Sequence, residues 1–294
     1  MIQHPQRANP FTQVDPARSI GIAQLTRFFL LAYGLSWLIW SPLWLPALGI
    51  TGLPVLPLNH ALGGLGPMLA AFICMAREDG KAGMGRSLRS MVDVRVPTLM
   101  AVALLAPFVL LAVGMLFVEG PFDATGILRN KEFPAMGFIS FLLYNLFFFG
   151  FGEEVGWRGF ALPRMQQRMN ALWAAVLLTA FWALWHWPLF LYRPGYTSMD
   201  VAGRAGWFFS LLTGSVLLTW LFNSSRGSLL VVAIFHATVD IAFTCEAATP
   251  AVVGVVGALI TIWGIAVVFI FKPKDLSRVP RVRAPLPNPS HQHA

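Results

Sequence analysis

An all-α bundle of about eight transmembrane helices is the architecture this sequence predicts, and three observations predict it. The 294 residues are 56% hydrophobic and only 12% charged, against about 25% charged in soluble domains, and the mean hydropathy is +0.65. Apolar runs of about 20 residues, the length that crosses a bilayer as a helix, recur along most of the chain. The 21 basic residues fall between those runs with a strong asymmetry. Alternating segments of about 10 residues, the mark of a transmembrane barrel, do not occur.

Taken in order, residues 1–24 form a polar segment containing Pro5, Pro10 and Pro16. No apolar core with a small-residue cleavage site follows a charged start, so the first span itself is expected to direct insertion. Spans are predicted near 28–49, 60–76, 97–118, 136–157, 171–192, 206–222, 228–245 and 250–271, making one membrane domain over 25–271. Between the second and third, REDGKAGMGRSLRSMVDVR (77–95) reads equally as an amphipathic surface helix or a solvated loop. The loop 119–134 is long enough to carry structure of its own. The segment 272–294 is basic and proline-rich and is expected to be a disordered tail, with His291 and His293 ordinary members of it. Cys74 and Cys245 sit in apolar runs without a CxxC and read as core or lipid-facing residues.

Eight spans return both termini to one side. Only Arg129, Lys131, Arg193 and Arg204 fall on the other side; the remaining 17 of 21 basic residues share the side of the termini. The positive-inside rule therefore makes both termini cytoplasmic, in what is expected to be a bacterial plasma membrane. The net charge of +8 then reports topology, and no nucleic-acid partner is implied.

A charge near the middle of a spanning helix costs roughly 2.5–3.5 kcal/mol on insertion scales, so such residues need partners or a watery cavity. Three segments carry them. In GEEVGWRGF (152–160), Glu154 and Arg158 are i,i+4 neighbours with the acid first, the favourable order. Glu153 points about 100° away and has no such partner. Gly152 and Gly156, with Gly159 one turn on, form a small-residue stripe that admits a close neighbour. The alternative for this segment is a helix end among the headgroups. In TAFWALWHWPLF (179–190), His186 sits among Trp182, Trp185 and Trp187; alone it reads as a satisfied core histidine. In SLLVVAIFHATVD (228–240), His236 and Asp240 are i,i+4 on one face; alone they read equally as a carboxylate that fixes the imidazole tautomer and as interhelical glue. Convergence of all three on one site is the reading that a single cause supports. Counting about 1.5 Å per residue leaves one discrepancy: His186 lies about 22 Å from Ala171, deeper than Glu153 or His236 from their own span ends, so span five must tilt or begin deeper.

EEVGWR, WALWH and HATVD resemble, in order and approximate spacing, the three motifs of the intramembrane proteases related to type II CAAX prenyl protease, the CPBP or Abi family. Trp182 stands where that family often has Phe. The resemblance covers about 150–242 and implies an endopeptidase with a membrane-embedded cavity facing the cytoplasm. It implies Glu153 as general base, His186 as its assistant or the donor to the leaving amine, and His236 with Asp240 at the oxyanion, with Glu154, Arg158 and Trp182 in support. No cofactor is favoured. Glu153, His186, His236 and Asp240 would also make a zinc set, although no HExxH is present. An ion-coupled transporter or a non-catalytic binding or immunity protein are the other readings; the former predicts inverted repeats, which the sequence does not display. The expected partners are a peptide or membrane-protein substrate, lipidated in the family's named case, and the bilayer.

Overall fold

The computed structural model describes residues 16–118 and 124–284. Its elements are α1 (Pro16–Trp44), α2 (Asn59–Gly64), α3 (Gly66–Glu78), α4 (Gly80–Ser90) and α5 (Pro97–Val118). A rod, α6, runs over Phe138–Met165. It is followed by α7 (Ala171–Trp185), a short α8 (Leu189–Tyr192), α9 (Val201–Ser224), α10 (Leu229–Thr244) and α11 (Pro250–Phe271). Among the described residues the pairing of strands is limited to an isolated bridge between Asn130 and Cys245. The chain is a polytopic helical bundle. Among the described residues, seven helices are long and apolar enough to cross a membrane. Leu30, Leu38, Phe117 and Phe269 are among the large apolar side chains on its outside, where hydrocarbon rather than water is the expected neighbour.

The seventh expected span, 228–245, is α10, only 16 residues long. At 1.5 Å per residue it reaches about 24 Å, short of a hydrocarbon core of about 30 Å. Most of its residues are buried, and it lies along α5 and against α6, so protein rather than lipid surrounds most of it. The helix starts follow from the sequence: Asn170, Asp200, Ser228 and Thr249 each accept a hydrogen bond from the backbone three residues on, capping α7, α9, α10 and α11.

Two boundaries differ from the sequence reading, and one ambiguity is resolved. The helix α1 begins at Pro16, inside the polar segment expected to precede the first span; residues 1–15 lie outside the described residues. The ambiguous 77–95 segment contains the helix α4. The disordered tail expected from 272 is corrected for residues 272–284, which are docked on the bundle. Ala171 and Leu172 donate backbone N–H groups to the carbonyls of Lys274 and Pro273, Asn223 binds the Asp275 carbonyl at 2.9 Å, and Gln166 binds that of Val282 at 2.7 Å. These partners are buried amides on distant helices, which a basic, proline-rich composition does not reveal. His291 and His293 lie outside the described residues.

Candidate active site

The rod α6 is not a uniform α-helix. Leu146–Phe151 and Trp157–Ala161 are π-helical turns on either side of the α-turn Gly152–Gly156 that holds both glutamates, a local form common at functional sites. The glycines let this rod be gripped from two sides. A Cβ at Gly152 would lie 2.9 Å from the Gly64 carbonyl oxygen, and one at Gly156 2.6 Å from Pro67, so this pair faces α2 and α3. Gly159 does not continue that stripe: it turns toward Leu229 of α10, as Gly150 turns toward Ala233. The π turns, by adding residues per turn, divide the expected single stripe between two neighbours.

Glu153 and Glu154 have different surroundings, as their angular separation requires. Glu154 is fully buried. Its Oε1 accepts from Arg158 at 2.9 Å and from His236 Nδ1 at 2.7 Å. Arg158, also fully buried, donates its other terminal nitrogen to Ser215 of α9 at 3.0 Å and lies 4.6 Å above the Trp182 ring. One ion pair thus ties α6 to α7, α9 and α10. Glu153 accepts on Oε2 from the indoles of Trp182 at 2.6 Å and Trp157 at 3.3 Å.

The remaining site residues gather around Trp182, whose side chain reaches both of the other two motif segments, at Glu153 and at His236. Its ring lies 5.7 Å from that of His236 and 5.6 Å from that of His186. His186 is the residue that ends α7, with Nδ1 2.7 Å from the Trp182 carbonyl. That carbonyl can only accept, so Nδ1 carries the proton and Nε2 is the free acceptor. Tyr196 and Trp207, from the turn before α9 and from α9 itself, pack on the imidazole. The depth discrepancy is met by this indole: Trp182 bonds Glu153 one turn nearer the start of α7 than His186, and among the described residues the His186 ring bonds the Trp182 carbonyl rather than Glu153, His236 or Asp240.

His236 Nε2 faces Glu153 Oε1 at 4.0 Å and Asp240 Oδ2 at 3.7 Å. The His236–Asp240 pair read from the i,i+4 spacing is therefore a facing pair and not a hydrogen bond; the carboxylate that fixes the ring is Glu154. This is a correction to the expectation that Asp240 would set the tautomer. Asp240 has a 32% exposed side chain, against 5% for Glu153 and 8% for His236, so the group is most open at Asp240. Among the described residues no group of three His, Cys, Asp or Glu side chains that could hold a metal ion is found. Cys74 and Cys245 are free and buried.

Sequence reasoning missed Trp157, Ser215, Tyr196 and Trp207. Trp157 was available as the i+4 neighbour of Glu153. The other three come from segments without a motif to flag them.

Comparison with known proteins bears on the same region. The family described as Rce1-like, type II CAAX prenyl endopeptidase, matches residues 135–242, a window that holds all three motifs. The chain is similar to CAAX prenyl protease 2 of Methanococcus maripaludis, 27% identical over 193 residues, 61% of this chain and 69% of that protein. It is also similar to lysostaphin resistance protein A of Staphylococcus haemolyticus, 22% identical over 179 residues, 60% of this chain and 47% of that protein. The match thus spans about half the length of the second relative.

Proposed function

From the premise that residues 135–242 are an Rce1-like domain of the type II CAAX prenyl endopeptidase family, set in a multi-pass membrane protein, we propose that the chain is an intramembrane endopeptidase in which Glu153 activates the attacking water. The observation that carries this reading is the pair of gaps around His236 Nε2, 4.0 Å to Glu153 and 3.7 Å to Asp240. Both are too long for direct hydrogen bonds and both suit a bridging water.

In this mechanism the indoles of Trp182 and Trp157 hold one oxygen of Glu153 and leave Oε1 turned toward the gap. Glu153 takes a proton from the water as its oxygen attacks the scissile carbonyl carbon. The proton passes to the leaving amine as the C–N bond breaks. His186, with Nε2 an acceptor, assists the deprotonation or, once protonated, donates to that amine. His236 gives Nδ1–H to Glu154, and in its doubly protonated form offers Nε2–H to the oxyanion. An ionised Asp240 can only accept, so its role is to hold that Nε2–H or to receive a peptide N–H.

The substrate class is a peptide or a membrane-protein segment. A chain terminus bearing a lipid is the case suggested by the name of the Methanococcus relative. The metal-independent version is favoured because Glu153 Oε2 is held by two indoles and His236 Nδ1 by Glu154, contacts that a cation bound through those atoms would have to displace. Glu153→Gln keeps an oxygen for the two indoles, so it should leave the protein folded in detergent and abolish peptide cleavage. Cleavage at the wild-type rate by that variant would end the assignment. Metal analysis of chelator-treated protein checks the second part: full activity without stoichiometric zinc is expected.

A further inference from the structure

At the arginine-rich end of the bundle lies a second hollow of about 610 Å³, separate from the glutamates. Six arginines from five segments line it: Arg86 and Arg89 of α4, Arg95 of the following turn, Arg164 of α6, Arg226 between α9 and α10, and Arg283 of the docked C-terminal segment. Two carboxylates line it as well, and both are engaged. Asp79 pairs with Arg164 at 2.9 Å, and Asp93 accepts Arg95 Nε on both oxygens at 2.8 Å. Among the described residues, Arg86, Arg89, Arg226 and Arg283 have no carboxylate within ion-pair distance. The hollow therefore carries a concentrated excess of positive charge.

Two observations separate it from an ordinary basic loop surface. Ser87 Oγ and Arg164 Nε both belong to residues that line the hollow, are buried, and have no hydrogen-bond partner. Such groups cost stability unless something pairs with them. In addition, Arg226 occupies a left-handed backbone position with φ 58°. Gly227 N–H bonds the Phe222 carbonyl and Arg226 N–H the Asn223 carbonyl, a helix-ending arrangement whose left-handed residue is usually glycine. The chain holds an arginine where the backbone favours glycine, and strain of this kind collects where a side chain has a task.

We infer that this hollow binds the phosphate-bearing headgroup of an anionic lipid from the adjoining leaflet. Guanidinium groups match phosphate oxygens in bidentate fashion, and the serine hydroxyl adds a neutral donor. Met75, Phe222, Leu229 and Val282 supply an apolar wall to the same hollow, which suits a lipid and offers nothing to a free phosphate ion. Basic pockets between helices at this depth are where such headgroups lodge. The inference stands independently of the peptidase reading.

Thermal unfolding of the full chain in a neutral detergent tests it. Added phosphatidylglycerol should raise the midpoint, while phosphatidylcholine and inorganic phosphate should not. Arg226→Gly removes a charge and suits the backbone better, so it should fold at least as stably without lipid and bind phosphatidylglycerol about fivefold more weakly, the effect of roughly one interfacial cation. Arg86→Gln with Arg89→Gln, both on α4, should lower the response further and covers the case in which the glycine variant fails to fold. A phosphatidylglycerol response undiminished in these variants would overturn the site. An equal response to phosphatidylcholine would overturn the headgroup selectivity, and one to inorganic phosphate would overturn the lipid assignment.

Discussion

Glu153 and Glu154 differ by one position in the chain and by everything around them. That division was legible in part, because an i,i+4 acid–base pair is a local property: Glu154–Arg158 forms at 2.9 Å as the spacing requires. The second bond of Glu154, to His236, joins positions 82 residues apart and depends on how α6 meets α10, which no local pattern encodes. Glu154 therefore serves both charge neutralisation and ring placement. Glu154→Gln leaves Arg158 buried without its counter-charge, and breaking one partner of such a pair costs roughly 3–5 kcal/mol. A lowered unfolding midpoint in detergent is the expected outcome, together with lost cleavage. Adding Arg158→Met removes the orphaned charge, so the double variant should unfold at a higher temperature than Glu154→Gln alone while remaining inactive. Equal midpoints for the two would show that Arg158 is not the destabilised group.

At the level of elements, the apolar runs gave seven spans near their true positions, because hydrophobic length is written directly in the sequence. The π turns of α6 were not legible. They are set by what packs on the rod, and they redistribute the glycines between α3 and α10. The consequence is measurable. A side chain at Gly156 meets the backbone and ring of Pro67 at 2.6 Å, neither of which can yield, so Gly156→Val should push α3 away. Overpacking of this kind costs about 1–3 kcal/mol or more. At Gly159 the nearest atom is a Leu229 methyl at 3.2 Å, the end of a side chain that can shift. Gly159→Ala should move the unfolding midpoint little. Similar losses for the two variants would mean that both glycines lie on one stripe, as the unbroken α-helical spacing suggested.

Across the whole molecule, the charge asymmetry and the site lie at different depths, and together they predict a direction of access. The start of α7 is bonded to Lys274 and Pro273 in the basic C-terminal segment, whereas His186 is at its far end, about 22 Å away at 1.5 Å per residue. Asp240 is twelve residues beyond Ser228, which caps the arginine-rich end of α10, and four before Thr244. Tyr196, which covers His186, belongs to the turn on the arginine-poor side. The most exposed group of the site therefore sits in the half away from the arginines. If the arginine-rich end is cytoplasmic, as the positive-inside rule predicts, the exposed Asp240 side chain faces the opposite compartment, contrary to the cytoplasmic opening that the family resemblance implies. Substrate would then arrive from outside the cell or laterally from the outer half of the bilayer, and a cytoplasmic lipidated terminus would be a poor fit. Single cysteines placed at Lys81 and Asp240, in a chain with Cys74 and Cys245 changed to Ala, decide the matter. A membrane-impermeant thiol reagent applied to intact cells should modify Asp240→Cys and spare Lys81→Cys, and inverted vesicles should reverse the pattern. Modification of both from the same face would mean that the cavity opens at the arginine-rich end. The helix depths would then have to be reconciled by a tilt of α7 and α10 that brings their far ends back toward that surface.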